Sequence, residues 1–175
     1  MSRLIFIVGG CRSGKTSYCI KLAEKYEKVV YLATAQILDS EMQDRVRKHQ
    51  EDRPSHWTTV EEPIKIDNRL LELDKSTQIV IIDCLTLYLS NLILMHEASE
   101  KPEEKIMHTI QELLRTIKQI DPIVAIISND TGSGIVPDNQ LARQFRDISG
   151  FMNQLVAREA DEVYKMEVGI PLRLK

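Results

Sequence analysis

The chain is short of cysteine, of basic charge and of long apolar runs, and each shortage removes a class of function. Its three cysteines, Cys11, Cys19 and Cys84, show no Cys-x-x-Cys spacing and are odd in number, which argues against a disulfide framework or a zinc site and suits reduced thiols. Lys and Arg total 23 against 26 Asp and Glu, a formal net charge of -3, so no overall basic field draws the protein to nucleic acid. No apolar stretch approaches the roughly 18 to 20 residues needed to span a bilayer, and Met1-Ser2-Arg3 leads into the short run Leu4 to Val8 rather than a signal peptide. A cytoplasmic protein without a membrane span is expected. Linkers, internal repeats and low-complexity tracts are missing too, so residues 1–175 are expected to form a single domain with one substantial core.

What is present is an alternation. Apolar runs rich in β-branched residues recur as Leu4 to Val8, Val29 to Ala33, Ile79 to Ile82 and Ile123 to Ser128, separated by segments of helical period, which is the pattern of a mostly parallel α/β sheet flanked by helices. Helices are predicted for Ser17 to Tyr26, Ser40 to Asp52, Pro63 to Leu73, Leu85 to Ser99 and Glu103 to Ile120. A long final helix, capped by Asp138 or Asn139, is predicted to run through Ala160. Glu162 to Val168 and Leu172 to Leu174, flanking Gly169-Ile170-Pro171, read as a C-terminal β-hairpin.

Directly after the first apolar run stands Gly9-Gly10-Cys11-Arg12-Ser13-Gly14-Lys15-Thr16, which satisfies G-x-x-x-x-G-K-[ST] between a strand and a helix. Glycines here let successive backbone N–H groups converge on an anion, and the helix adds its positive dipole end. Lys15 would reach the β- and γ-phosphates of a nucleotide, and the Thr16 hydroxyl would sit on a bridging Mg2+. The fold expected is therefore a P-loop NTPase-like α/β sheet. Cys11 within the loop reads as a small filler before it reads as a reactive thiol.

Ile79-Val80-Ile81-Ile82-Asp83 is an apolar strand ending in a carboxylate. Such an acid serves Mg2+ or its water in phosphate-loop enzymes, and the competing role is a cap on the helix that starts at Leu85. Arg45 and His49, at i and i+4, share a helix face, and Arg53 follows before Pro54. Two cations beside an imidazole suit attack on phosphorus, yet spacing alone does not separate His49 from His56, His96 or His108, and a solvated charged helix is the plainer reading. Arg143 and Arg146, at i and i+3, neutralise phosphate, pair with Asp147 and subunit neighbours, or form a polar helix face. Thr34-Ala35-Gln36 follows the second strand, at the carboxyl end of the sheet where ligands of open α/β sheets bind. Ser128-Asn129-Asp130 lacks the Asn-Lys-x-Asp pattern that selects guanine in switch GTPases.

Taken together these residues resemble the bifunctional adenosylcobinamide kinase / adenosylcobinamide-phosphate guanylyltransferase family of cobalamin biosynthesis. The likeness rests on Gly9 through Thr16, on Tyr31-Leu32-Ala33-Thr34-Ala35-Gln36, and on Arg45-Val46-Arg47-Lys48-His49 with Arg53-Pro54-Ser55-His56-Trp57. It continues through Asp83-Cys84-Leu85-Thr86 and Ser90-Asn91-Leu92, and its most family-specific part is Asn129 to Pro137 followed by Leu141 to Asp147. The resemblance implies phosphorylation of adenosylcobinamide by ATP or GTP, then transfer of GMP from GTP to the resulting phosphate through a guanylylated histidine, which falls on His49. Lys15 and Asp83 would be the other catalytic residues, and Thr16 and Asp83 would hold Mg2+. Nucleotide contacts would fall on Gly9, Gly10, Cys11, Arg12, Ser13, Gly14, Lys15, Thr16, Thr34, Ala35, Gln36, Gln50, Glu51, Asp52, Arg53, Glu61 and Asp83. A homotrimer is implied as well. Cys11 stands where alanine is common in the family, Asp83 where some members have glutamate, and Lys48-His49 where some have two histidines. The alternatives are another small-molecule P-loop kinase, in which His49 is inert, and a nucleotide-dependent switch.

Overall fold

A computed structural model describes residues 2–36, 43, 44, 47, 50 and 53–175. In chain order it contains β1 (Leu4–Gly9), α1 (Lys15–Ala23), β2 (Val29–Ala33), β3 (Thr58–Glu61), α2 (Ile66–Leu71), β4 (Ile79–Asp83), α3 (Leu85–Met95), α4 (Pro102–Ile117), β5 (Ile123–Asn129), α5 (Gln140–Glu159), β6 (Glu162–Glu167) and β7 (Ile170–Arg173). The strands form one seven-stranded sheet in the order β3-β2-β4-β5-β1-β6-β7. Every pairing is parallel except β6 with β7, so the expected α/β class and terminal hairpin are both found. The unbroken apolar runs of β2 and β4 follow from burial on two faces, since a parallel sheet covered by helices has no solvent side.

Alternation along each strand sends its side chains to two separate cores. Phe6, Leu32, Ile82 and Ile126 meet α2 to α5 through Leu70, Leu89, Ile110 and Met152. Ile7, Tyr31, Ile81 and Ile127 face the other way, onto Cys19, Ile20 and Ala23 of α1 and onto Trp57. The amphipathic stripe Ile106, Ile110, Leu113, Leu114 and Ile117 on α4 is buried as its spacing predicts. At the start of α5 the Asn139 side chain accepts from the Ala142 N–H at 3.1 Å, so Asn139 rather than Asp138 is the cap.

Three sequence expectations are revised. Thr58–Glu61 forms an edge strand paired with β2; with one apolar residue in four it carries almost no strand signal. The hairpin turn is Val168-Gly169, with φ of 45° and 86°, while Ile170 and Pro171 belong to β7. Two consecutive positive φ angles give the turn the twist that a two-residue hairpin needs, and the outermost strand accommodates a proline because a missing N–H costs nothing at an unpaired edge. Helix ends are also shorter than predicted, at Ala23, Leu71, Met95 and Ile117. Of the helix predicted for Ser40 to Asp52, Gln43, Asp44, Arg47 and Gln50 are helical and the remainder lies outside the described residues.

Candidate functional site

The carboxyl ends of β1, β4 and β5 set the site. Register pairs Gly9 with Asn129, Asp83 with Ile127 and Ala33 with Asp83, so these residues line up across four adjacent strands. The loop after β1 turns sharply into α1 through Gly14, at φ 93°, a left-handed conformation that glycine adopts without penalty. Gly9 is required for another reason: a Cβ there would lie 2.6 Å from Ser13 Oγ and 2.7 Å from the Met166 carbonyl oxygen. The turn of the C-terminal hairpin closes on this loop, with the Gly169 N–H donating to the Ser13 carbonyl at 3.0 Å.

Within the loop, Lys15 is 8% exposed and donates from Nζ to the Gly10 carbonyl at 2.6 Å. Burial pushes its pKa below the ordinary lysine value, opposed by the neighbouring Cys84 and Asp83. An ammonium held this way, short of solvent, favours an anionic oxygen strongly. Ser13 Oγ is buried and has no hydrogen-bond partner among the described residues, which suits a loop built around a ligand.

Asp83 gathers three groups. Its Oδ2 accepts from Thr16 Oγ1 at 3.2 Å and from the Tyr31 hydroxyl. The Arg53 guanidinium lies over the Tyr31 ring, 3.5 Å from its centre, a cation–π contact that carries positive charge to the same corner. Burial, then the Asp83 charge, pushes the Tyr31 phenol far above its usual pKa, so it stays protonated and donates. Burial likewise pushes the Cys84 thiol up to about 11, which leaves it a poor nucleophile at neutral pH. Among the described residues no cluster of three or more His, Cys, Asp and Glu could hold a metal. The Thr16 hydroxyl and Asp83 carboxylate are nevertheless hard oxygen donors side by side, a set that fits Mg2+ when phosphate oxygens and water complete its shell.

Behind this row stands a polar support. Thr34 Oγ1 donates to the Cys84 carbonyl and accepts from the Cys84 N–H, both at 2.8 Å. Asn91 Nδ2 donates to the carbonyls of Thr34 and Pro63. Ala35 and Gln36 follow, half-buried, and Glu61 ends β3 on the same side of the sheet, paired with Ala33 and exposed. Gln50 is exposed on its helix, Cys11 and Arg12 are exposed on the loop, and His49, Glu51 and Asp52 lie outside the described residues. Arg143 and Arg146 brace the loop after β5: Arg143 Nη1 donates to the Pro137 and Asp138 carbonyls and Arg146 Nη2 to that of Gly132. Tyr31 as a partner of Asp83 was not singled out from sequence, although a lone hydroxyl inside an apolar strand is a usable signal, because a buried phenol must find an acceptor.

Comparison with known proteins adds the substrate class. Residues 5–174 match the cobinamide kinase / cobinamide phosphate guanyltransferase family. The bifunctional adenosylcobalamin biosynthesis protein CobU of Escherichia coli strain K12 is 35% identical over 180 residues, covering 98% of this chain and 99% of that protein. CobU of Salmonella typhimurium strain LT2 is equally similar, with the same coverage. The bifunctional adenosylcobalamin biosynthesis protein CobP of Pseudomonas aeruginosa strain PAO1 is 35% identical over 170 residues, 97% of this chain and 95% of that protein. With a phosphate loop, an aligned strand-end carboxylate and full-length similarity of this kind, the chain belongs to the cobinamide kinase / cobinamide phosphate guanyltransferase family.

Proposed function

We propose that this protein phosphorylates the aminopropanol hydroxyl of adenosylcobinamide, using ATP or GTP, and then transfers GMP from GTP to the new phosphate, giving adenosylcobinamide-GDP and pyrophosphate. The observation that carries the reading is the meeting of Lys15, Thr16 and Asp83 at the end of a glycine loop, within a chain of this family. The loop N–H groups and Lys15 bind the triphosphate and stabilise charge on the transferring phosphoryl group, which is most of what phosphoryl transfer requires of a protein. Thr16 and Asp83 would hold Mg2+, which neutralises phosphate charge when bound. Arg53, stacked on Tyr31, adds a fixed positive charge beside Asp83, and Arg12, Gln36 and Glu61 complete the nucleotide's surroundings.

In the second reaction a neutral nitrogen of His49 attacks the α-phosphorus of GTP. A P–N bond forms, the bond between the α-phosphorus and the bridging oxygen breaks, and pyrophosphate leaves. A phosphate oxygen of adenosylcobinamide phosphate then attacks the same phosphorus, the P–N bond breaks and the imidazole is regenerated. The same reading takes residues 1–175 as one catalytic domain, working in the cytoplasm as a homotrimer.

Intact-protein mass spectrometry after incubation with GTP and Mg2+ tests it. A GMP-sized adduct, labile to acid, stable to alkali and absent from His49→Ala, is expected. GTP binding without any adduct would leave a kinase alone and remove the histidine route.

A further inference from the structure

The end of β5 holds a side chain that neither reaction above uses. Asn129 is the last residue of that strand, and β5 lies between the strand of the phosphate loop and the strand of Asp83. Its backbone is fixed by side chains from two helices. The Asn129 N–H donates to Thr86 Oγ1 on α3 at 2.8 Å, and its carbonyl accepts from Asn153 Nδ2 on α5 at 3.1 Å. Asn153 is itself oriented, since its Oδ1 accepts from Ser128 Oγ at 2.7 Å. One residue further, the Asp130 N–H donates to the Gly9 carbonyl at 3.0 Å and ties the strand end to the first glycine of the loop. Three elements thus converge to hold one asparagine still.

Alternation decides where its side chain goes. Ala125 and Ile127 face the α1 core, while Val124 and Ile126 face the other. Ser128 turns toward α5, so Asn129 stands on the α1 face, as do Asp83 after Ile79 and Ile81 and Gly9 after Ile5 and Ile7. It is half-buried, and its carboxamide makes no hydrogen bond with the described residues, in contrast to Thr34, Asn91 and Asn153, whose side chains each brace a backbone carbonyl. An amide donor on a rigidly held strand end beside the phosphate loop, with no partner of its own among the described residues, is free to serve charge that appears only during reaction.

We infer that the Asn129 carboxamide is a catalytic group of the phosphoryl-transfer step, donating from Nδ2 to an oxygen of the nucleotide's terminal phosphate. The inference rests on the nucleotide-binding part of the proposed function and not on the identity of the acceptor. The proton stays on nitrogen; the bond to the transferring phosphorus breaks on the bridging-oxygen side and forms to the acceptor hydroxyl, as in any such transfer.

Steady-state kinetics with ATP, Mg2+ and cobinamide, on wild type, Asn129→Ala and Asn129→Asp, provide the test, with slow ATP hydrolysis in the absence of cobinamide as a second readout. The expected result is a kcat lower by about 100-fold or more in Asn129→Ala, with KM for ATP and the melting temperature close to wild type, and a loss at least as large in Asn129→Asp, whose carboxylate repels phosphate. A kcat within threefold of wild type in Asn129→Ala, or a rate loss matched by a lowered melting temperature in both variants, overturns the inference. If wild type hydrolyses ATP but never phosphorylates cobinamide, the proposed acceptor fails, and the hydrolysis comparison still decides the role of Asn129.

Discussion

The face of the sheet beneath α2 to α5 is sealed along its length, with Phe6, Ile82, Leu85, Leu89 and Ile126 each at 1% exposure or less, whereas the face beneath α1 is sealed only as far as the strand ends. There Asp83 and Asn129 are half-buried and Gly10, Cys11 and Arg12 are exposed. Among the described residues α1, nine residues long, is the helix that covers this side, and its first turn belongs to the phosphate loop. One face therefore carries stability and the other is left incomplete, to be closed by a ligand. Polar groups follow the same division: those pointing away from α1, such as Asn153 and Ser128, bond to each other, and those pointing toward it gather at Lys15 and Asp83.

The largest effect should come from breaking this division at its chemical end. Lys15→Met should lower kinase turnover by about 100-fold or more while leaving the free energy of urea unfolding unchanged to within ~1 kcal/mol, since losing the bond to the Gly10 carbonyl is offset by removing a desolvated charge. A large stability loss would mean that the α1 face is structural after all. The converse substitution, Leu89→Ala, should cost about 3 kcal/mol in the same unfolding experiment, with kcat of the folded protein near wild type at low temperature; a comparable loss of kcat would show that the sealed core also tunes the site.

The smallest effect sharpens the comparison at the hairpin. Val168 is 83% exposed and holds φ 45°, a conformation its branched Cβ resists. Val168→Asn should gain about 0.5 kcal/mol and raise the melting temperature by about 2 °C in a calorimetric scan, with the bond from Gly169 to Ser13 preserved and activity unchanged.

How legible each part was in the sequence follows from the range of its contacts. Gly9 to Thr16, the buried strands and the stripe on α4 are local patterns, and all three were readable from residues a few positions apart. The supports were not. Tyr31 meets Asp83 across 52 positions, Asn91 meets Thr34 across 57 and Thr86 meets Asn129 across 43, and nothing near any of these residues in the chain marks the partner. The edge strand Thr58–Glu61 escaped because its exposed side chains leave no apolar alternation. The hairpin turn was misplaced by one or two residues because Pro171, ordinarily a turn signal, sits harmlessly on an outer strand. The spacing of Arg143 and Arg146 indicates a charged helix face and nothing of their carbonyl partners, which depend on how the loop after β5 folds back onto the helix.

The position of β1 has a consequence for how the molecule is made. It begins at Leu4, yet both of its neighbours come much later: β5 starts at Ile123 and β6 at Glu162. As the polypeptide leaves the ribosome, the strand that bears the phosphate loop has no partner until more than two thirds of the chain has followed it, and the loop's contact with Gly169 forms later still. Nascent fragments are thus expected to hold no nucleotide, so binding begins only when the sheet closes around its own first strand.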